Sequence, residues 1–131
     1  MIPEPWIPLF FTRIGDIFMR METAVFWLES GTGFLKKVAD SEEEFHRLMQ
    51  SEAGELWLMA PVVQALHDAG KVAQGDQCYW FLIPPVFKDG LYTVENMFVA
   101  PAREVVTLSA SMHEQLRDLP DGATVQIKVV D

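Results

Sequence analysis

The chain is poor in cysteine, in long apolar runs and in recognisable targeting signals. Its single cysteine, Cys78, excludes a disulfide within the chain and is typical of a reducing compartment. No apolar stretch approaches the ~20 residues that cross a bilayer. The N-terminus lacks the basic region and the cleavage site of a signal peptide. The sequence therefore predicts a cytoplasmic protein that does not associate with membranes.

The motifs of metal and nucleophilic chemistry are missing as well. His46, His67 and His113 are far apart and share no HExxH or CxxC pattern. No Gly-x-Ser-x-Gly elbow is present, and Gly31-x-Gly33 lacks the lysine of a phosphate loop, so we interpret it as a hairpin turn. Cys78 opens an apolar strand and is expected in the core. We expect no catalytic residue, no metal and no cofactor, although an enzyme whose titratable groups converge only on folding stays open.

The composition is that of a folded domain with an uneven acidic charge. Half of the 131 residues are apolar and 11% are aromatic, which predicts one domain over residues 1–131. The net charge is −9, and residues 40–70 carry seven acids against a single base, Arg47. Such a field repels nucleic-acid phosphates and attracts a basic partner. We therefore expect a protein partner and no direct contact with nucleic acid.

Short β-rich stretches separated by glycine turns occupy the first 39 residues, a pattern typical of an antiparallel meander. Further apolar stretches follow in the second half of the chain. The predicted strands are Leu9–Thr12, Ile17–Met21, Ala24–Leu28, Phe34–Val38, Cys78–Ile83, Thr93–Ala100 and Ala123–Val129. The last of these is a candidate sheet edge, which leaves a homodimer open.

Helical periodicity begins at residue 41. Ser41 and Glu44 have the spacing of a capping box at the start of a first helix. A break over residues 51–54 precedes a second helix from about Ala60 to Ala69, and a third helix is predicted over Glu104–Leu119. The sequence thus predicts an α+β fold, with a mostly antiparallel sheet and about three helices packed on one face.

Short words in three stretches of the chain, in a common order, are similar to one protein family. They are Gly15-Asp16-Ile17-Phe18, Trp27 and Val38–Ser41; then Trp57-Leu58 and Pro61–Val63; then Gly75–Tyr79, Pro84-Pro85, Tyr92, Glu95-Asn96, His113–Gln115 and Asp118–Gly122. Together these stretches resemble the C-terminal domain of type VI secretion immunity proteins, the kind that protects bacteria from a DNase effector. In that family the domain often follows a GAD-like domain. The 131 residues leave no room for one, so we expect a stand-alone version.

The resemblance implies a protein without catalytic activity that binds and neutralises a bacterial toxin. A nuclease presents cationic surface to phosphate, so an acidic face on the immunity protein would complement it. The candidate partner-binding residues concentrate charge near the start of the first helix. They are Glu42, Glu43, Glu44, Glu52 and Glu55.

A second hypothesis from the sequence is a regulatory module that binds a small molecule or a peptide. Trp80, Phe81 and Tyr92 are the aromatic residues that could line its cleft. A deep pocket lined by aromatic side chains would favour this hypothesis over toxin binding.

Overall fold

A computed structural model describes residues 5–117 and Leu119, and these residues form six strands and four α-helices. The strands are β1 (Ile7–Phe11), β2 (Ile17–Met21), β3 (Ala24–Leu28), β4 (Leu35–Ala39), β5 (Gln77–Phe81) and β6 (Met97–Pro101). The helices are α1 (Glu42–Met49), α2 (Glu52–Leu58), α3 (Ala60–Asp68) and α4 (Ala102–Leu116), with a 3-10 turn at Val94–Asn96. The predicted α+β class is confirmed.

The strands divide between two antiparallel sheets, a division that the sequence did not predict. The first sheet is a meander in the order β1-β2-β3-β4, and the second is the β5-β6 pair. The predicted bounds of β2 and β3 agree with the structure, while β1 and β4 are shifted by one or two residues. The segment Gly31–Gly33 lies in the turn between β3 and β4, as expected. The strand predicted over Ala123–Val129 lies outside the described residues.

The start of α1 is fixed by side-chain capping. The Ser41 hydroxyl accepts a hydrogen bond from the Glu44 amide at 3.1 Å. The Glu44 carboxylate in turn accepts from the Asp40 amide at 3.0 Å, one residue before the position that a standard capping box uses. Two amides that the helix itself cannot satisfy are therefore paired.

Helix α2 begins inside the break that the sequence analysis placed over residues 51–54 and extends over residues that it assigned to no helix. The interruption after α1 is short, because the Ser51 hydroxyl caps the Ala53 amide at 3.2 Å and the chain returns to helix at Glu52. Gly54 permits this tight connection, since a Cβ atom there would lie 1.9 Å from the carbonyl oxygen of Met49. A left-handed Met59 (φ 50°) then separates α2 from α3.

An aromatic core joins the first sheet to α1 and α2. The Phe18 ring centroid lies 5.1 Å from that of Phe45 on α1, 5.4 Å from that of Trp57 on α2 and 5.8 Å from that of Trp27 on β3. Phe18 is fully buried at the centre of this group. Ring pairs at these separations contribute a favourable interaction in addition to the free energy of burying their surface. One side chain of β2 therefore holds two helices against the sheet.

A second core lies between β5, β6, α3 and α4. Four of its buried members come from β5, which reads Gln-Cys-Tyr-Trp-Phe, and others come from β6 and from one face of α4. They are Ile14, Leu66, Cys78, Tyr79, Trp80, Phe81, Met97, Ala100, Val105 and Met112. Gly15 allows α4 to approach the first sheet, because it has φ +88° and a Cβ atom there would lie 2.9 Å from a methyl group of Val105. Among the described residues, no helix has the length and apolar character that a bilayer crossing requires.

We expect Phe18→Ala to lower the free energy of unfolding by about 3–5 kcal/mol, because the cavity it leaves is surrounded by four other rings. Urea denaturation followed by tryptophan fluorescence measures this loss. Phe34→Ala serves as the control, since Phe34 is 61% exposed and its removal should cost less than about 1 kcal/mol. Similar losses for the two variants would contradict the central role of Phe18.

Candidate functional site

The predicted partner-binding glutamates of α1 differ in their surroundings. The Glu42 carboxylate lies 3.6 Å from the Arg20 guanidinium, and the Glu44 carboxylate lies 3.6 Å from the Arg47 guanidinium. Glu43 is exposed and forms no ion pair with any residue in the described part of the chain. Exposed ion pairs contribute at most about 1 kcal/mol, so a partner's cations can compete with both arginines.

The glutamates of α2 share a face with an exposed leucine. Glu52, Glu55 and Leu56 stand at positions i, i+3 and i+4, which lie on one side of a helix. Leu56 is 74% exposed, the highest fraction among the large apolar side chains described. Neither glutamate forms an ion pair within residues 5–117. The structure thus places an apolar side chain beside two exposed carboxylates that have no ion-pair partner among the described residues.

A buried carboxylate lies at the junction between the first sheet and α4. The Oδ1 atom of Asp16 accepts a hydrogen bond from the Ser30 amide at 2.9 Å, and Oδ2 accepts from the Trp27 indole at 3.0 Å. Burial raises the pKa of Asp16 from its ordinary 3.8 to about 6, although both hydrogen bonds favour the ionised form. Asp16 therefore holds the turn after β3 at a cost in desolvation.

Two side chains of α4 bind the same turn from the other side. The Ser109 hydroxyl donates to the Ser30 carbonyl oxygen at 2.7 Å, and the Nε2 atom of His113 lies 2.7 Å from that oxygen. Ser109 and His113 are four residues apart, so they lie on one face of α4. The Ser30 peptide is thereby held at both ends, by Asp16 on its amide and by α4 on its carbonyl.

This group contains serine, histidine and aspartate but lacks the geometry of a nucleophilic triad. In such a triad the serine hydroxyl donates to the imidazole and the carboxylate orients the other ring nitrogen. Here the hydroxyl of Ser109 and the imidazole of His113 both bind the Ser30 carbonyl, and the Asp16 carboxylate binds Trp27 and the Ser30 amide. The contacts that the structure shows are those of a structural clamp.

The other titratable candidates lie in different surroundings. Burial raises the pKa of the Cys78 thiol to about 11, which keeps it protonated at neutral pH. Burial also raises the pKa of Tyr92. His46 and His67 are exposed. Within residues 5–117 and Leu119, no three side chains of the types that bind metals come together.

An open cavity of about 730 Å³ lies between β1, the α2–α3 connection and the loop that leads into β5. Its apolar lining residues include Phe10 and Phe11 of β1, Leu58 of α2 and Val63 of α3. Its volume falls within the range of about 300–1,000 Å³ that is common for small-ligand sites. Arg13, Gln64, Asp76 and Gln77 supply its polar side chains.

The aromatic residues that the sequence offered for a cleft do not line this cavity. Trp80 and Phe81 are buried in the second core, and the Phe81 and Tyr92 rings meet edge to face at 5.0 Å. Phe10 and Phe11 were not singled out because a short apolar strand gives no sign of which side chains stay exposed. Their exposure follows from β1 being an edge strand.

Comparison of the chain with protein-family models, with curated proteins and with solved structures finds no match. The function is therefore inferred from the surfaces just described and from the chemistry they allow.

The raised pKa of Asp16 makes stability depend on pH in a defined direction. The folded state holds this proton more tightly than the unfolded chain does, because the pKa is about 6 when folded against an ordinary 3.8. The contribution is fully present below the ordinary value and is lost as the pH rises through the folded one. Relative to Asp16→Asn, the wild-type free energy of unfolding should fall by about 3 kcal/mol over this interval.

Urea denaturation of both proteins across the interval gives this difference. Titration of the Asp16 carboxyl carbon by NMR gives the pKa directly and does not need the variant to fold. A constant difference between the two proteins, or a carboxyl that titrates at its ordinary value, would be inconsistent with a buried and desolvated Asp16.

Proposed function

We propose that this chain is a non-catalytic, cytoplasmic protein of the immunity type, which binds and neutralises a basic, nuclease-like bacterial toxin through the α1–α2 surface. The observation that carries the proposal is the exposed face of α2, where Glu52 and Glu55 flank Leu56 without any ion pair in the described chain. Glu43 on α1 adds a third exposed carboxylate of this kind.

The charge of this surface suits a nuclease as partner. An enzyme that binds a phosphate backbone needs lysine and arginine side chains around its active site. Carboxylates that face those cations would speed encounter and occupy the place of the phosphates. Glu42 and Glu44 add to the same field, since their arginine contacts are exposed and weak.

Leu56 adds apolar contact surface, which the carboxylates alone do not provide. Binding energy in protein interfaces is concentrated in a few side chains that become fully desolvated, while a charged rim adds specificity. A leucine that is 74% exposed and has glutamates one and four residues before it fits such an arrangement. The partner surface that complements it is an apolar pocket with a basic rim.

The polar groups in the interior support binding rather than catalysis. Ser109, His113 and Asp16 each spend their hydrogen-bonding atoms on the Ser30 peptide or on Trp27. These contacts stabilise the turn after β3, and they direct the Ser109 hydroxyl and the His113 imidazole to the Ser30 carbonyl rather than to each other.

We expect the double charge reversal Glu52→Lys/Glu55→Lys to weaken binding to the toxin encoded beside this gene by at least about tenfold, since it replaces two attractions with two repulsions. Isothermal titration calorimetry at several salt concentrations measures the affinity. Affinity of the wild type should fall as salt rises, and the variant should fail to protect cells that express the toxin.

The matched control is Glu95→Lys/Glu104→Lys, which changes the net charge equally at two exposed acids outside α1 and α2. It should cost less than about threefold in affinity, because rim and remote charges act mainly through the long-range field. An equal loss in both double variants, or no complex with the wild type, would refute the α2 surface as the binding site.

We also expect Leu56→Ala to leave the association rate unchanged and to speed dissociation. The affinity should then fall by about tenfold or more, while its salt dependence stays the same. Surface plasmon resonance separates the two rates. An unchanged dissociation rate would show that Leu56 lies outside the interface.

A further inference from the structure

The cavity beside β1 combines apolar walls with two opposite charges on one side. Phe10 and Phe11, 44% and 37% exposed, offer aromatic faces, and Leu58 adds aliphatic surface. Arg13 and Asp76 line the same cavity. A ligand that fits it must therefore bring both an apolar body and a group that satisfies a cation and an anion.

The cation is held in place by the loop that carries the anion. One guanidinium nitrogen of Arg13 donates to the Gly75 carbonyl at 3.0 Å and to the Gln77 carbonyl at 2.6 Å. These two residues flank Asp76, so the guanidinium is fixed beside the peptide that bears the carboxylate. The other guanidinium nitrogens make no side-chain hydrogen bond within the described residues, and they remain able to bind an anion.

Arg13 and Asp76 do not neutralise each other. Their charged atoms form no ion pair within 4 Å, and neither pairs with another residue in the described part of the chain. The backbone carbonyl of Asp76 accepts from the Ala102 amide at 2.8 Å, which ties the loop to the start of α4. Both charges thus line the cavity, Asp76 on the anchored loop and Arg13 hydrogen-bonded to that loop from the turn after β1.

We propose that this cavity binds a free α-amino acid with an apolar side chain. The ligand's carboxylate would pair with the Arg13 guanidinium, its ammonium group with the Asp76 carboxylate, and its side chain would lie against Phe10 and Phe11. A purely anionic ligand would leave its charge close to Asp76, and a purely cationic ligand would leave its charge close to Arg13. A zwitterionic head is the one that offers each residue its complement.

This site belongs to the class of small-molecule-binding modules that the sequence left open, and it is independent of toxin binding. None of the five glutamates of the α1–α2 surface lines the cavity. Failure of amino-acid binding would leave the toxin proposal untouched, and the reverse also holds.

The test is a titration of the ¹⁵N-labelled protein with three matched probes, followed by NMR. Phenylalanine carries both charges, 3-phenylpropanoate lacks the ammonium group and 2-phenylethylamine lacks the carboxylate. We expect phenylalanine to bind saturably, with shifts centred on residues 10–13 and 75–77, and each of the other probes to bind about tenfold more weakly. Equal binding of all three probes, or no saturable binding of phenylalanine, would overturn the proposal.

Two variants assign the charges. Arg13→Gln should lower the affinity for phenylalanine by about tenfold and raise that for 2-phenylethylamine, whose cation no longer lies near a guanidinium. Asp76→Asn should likewise lower the affinity for phenylalanine and raise that for 3-phenylpropanoate. Arg13→Lys keeps the charge and should restore part of the affinity if Arg13→Gln disturbs the loop. Losses that do not follow this crossed pattern would argue against the two pairings.

A third variant tests the cavity itself. Ala60→Trp places an indole at an exposed position of α3 that lines the cavity, and it should abolish phenylalanine binding by filling the space. Ala65→Trp is the control, because Ala65 is exposed on the same helix and does not line the cavity. Retained binding in Ala60→Trp, or equal loss in the control, would place the site elsewhere.

Discussion

The position of α4 against the first sheet depends on one buried group, the backbone of Ser30 in the turn after β3. Asp16 accepts from the Ser30 amide, and Ser109 and His113 on α4 bind the Ser30 carbonyl. The first sheet supplies Asp16 and Ser30, and the second core supplies α4. Because a buried polar group without a partner is costly, these hydrogen bonds admit few alternative positions for α4. These buried hydrogen bonds, centred on Ser30, form a specific joint between the two apolar cores.

The same joint explains where the candidate ligand cavity lies. The segment from Thr12 to Asp16 leaves the edge strand β1, and the Arg13 carbonyl accepts from the Tyr79 amide on β5. The side chain of Arg13 reaches the loop before β5. One wall of the cavity therefore belongs to the first sheet and the opposite wall to the second core. Small-ligand sites are common in gaps at such junctions. The acidic face of α2, in contrast, is a convex surface of one helix that is open to solvent.

Local pattern predicted the elements well where one signal dominated. The alternation over Ile17–Met21 and Ala24–Leu28 predicted a hairpin, and Ser41 predicted the start of α1. It failed for α2, where Ser51 and Gly54 were interpreted as breakers. There the serine caps the Ala53 amide and the glycine avoids the Met49 carbonyl, and residue type alone does not distinguish these roles from a break. The acidic candidates were found from charge counts, but the pairing of Glu42 depends on Arg20, which is distant in the chain.

By itself, the sequence determined the α+β class, the antiparallel hairpins, the concentration of carboxylates after residue 40 and the burial of Cys78. These features follow from side-chain period, turn residues and charge, which act over a few neighbours. Only the tertiary structure decided that the strands separate into two sheets, that Leu56 stands out beside Glu52 and Glu55, and that Arg13 and Asp76 face one cavity. Each of these depends on which surfaces remain uncovered once both cores have formed, and no local pattern encodes that.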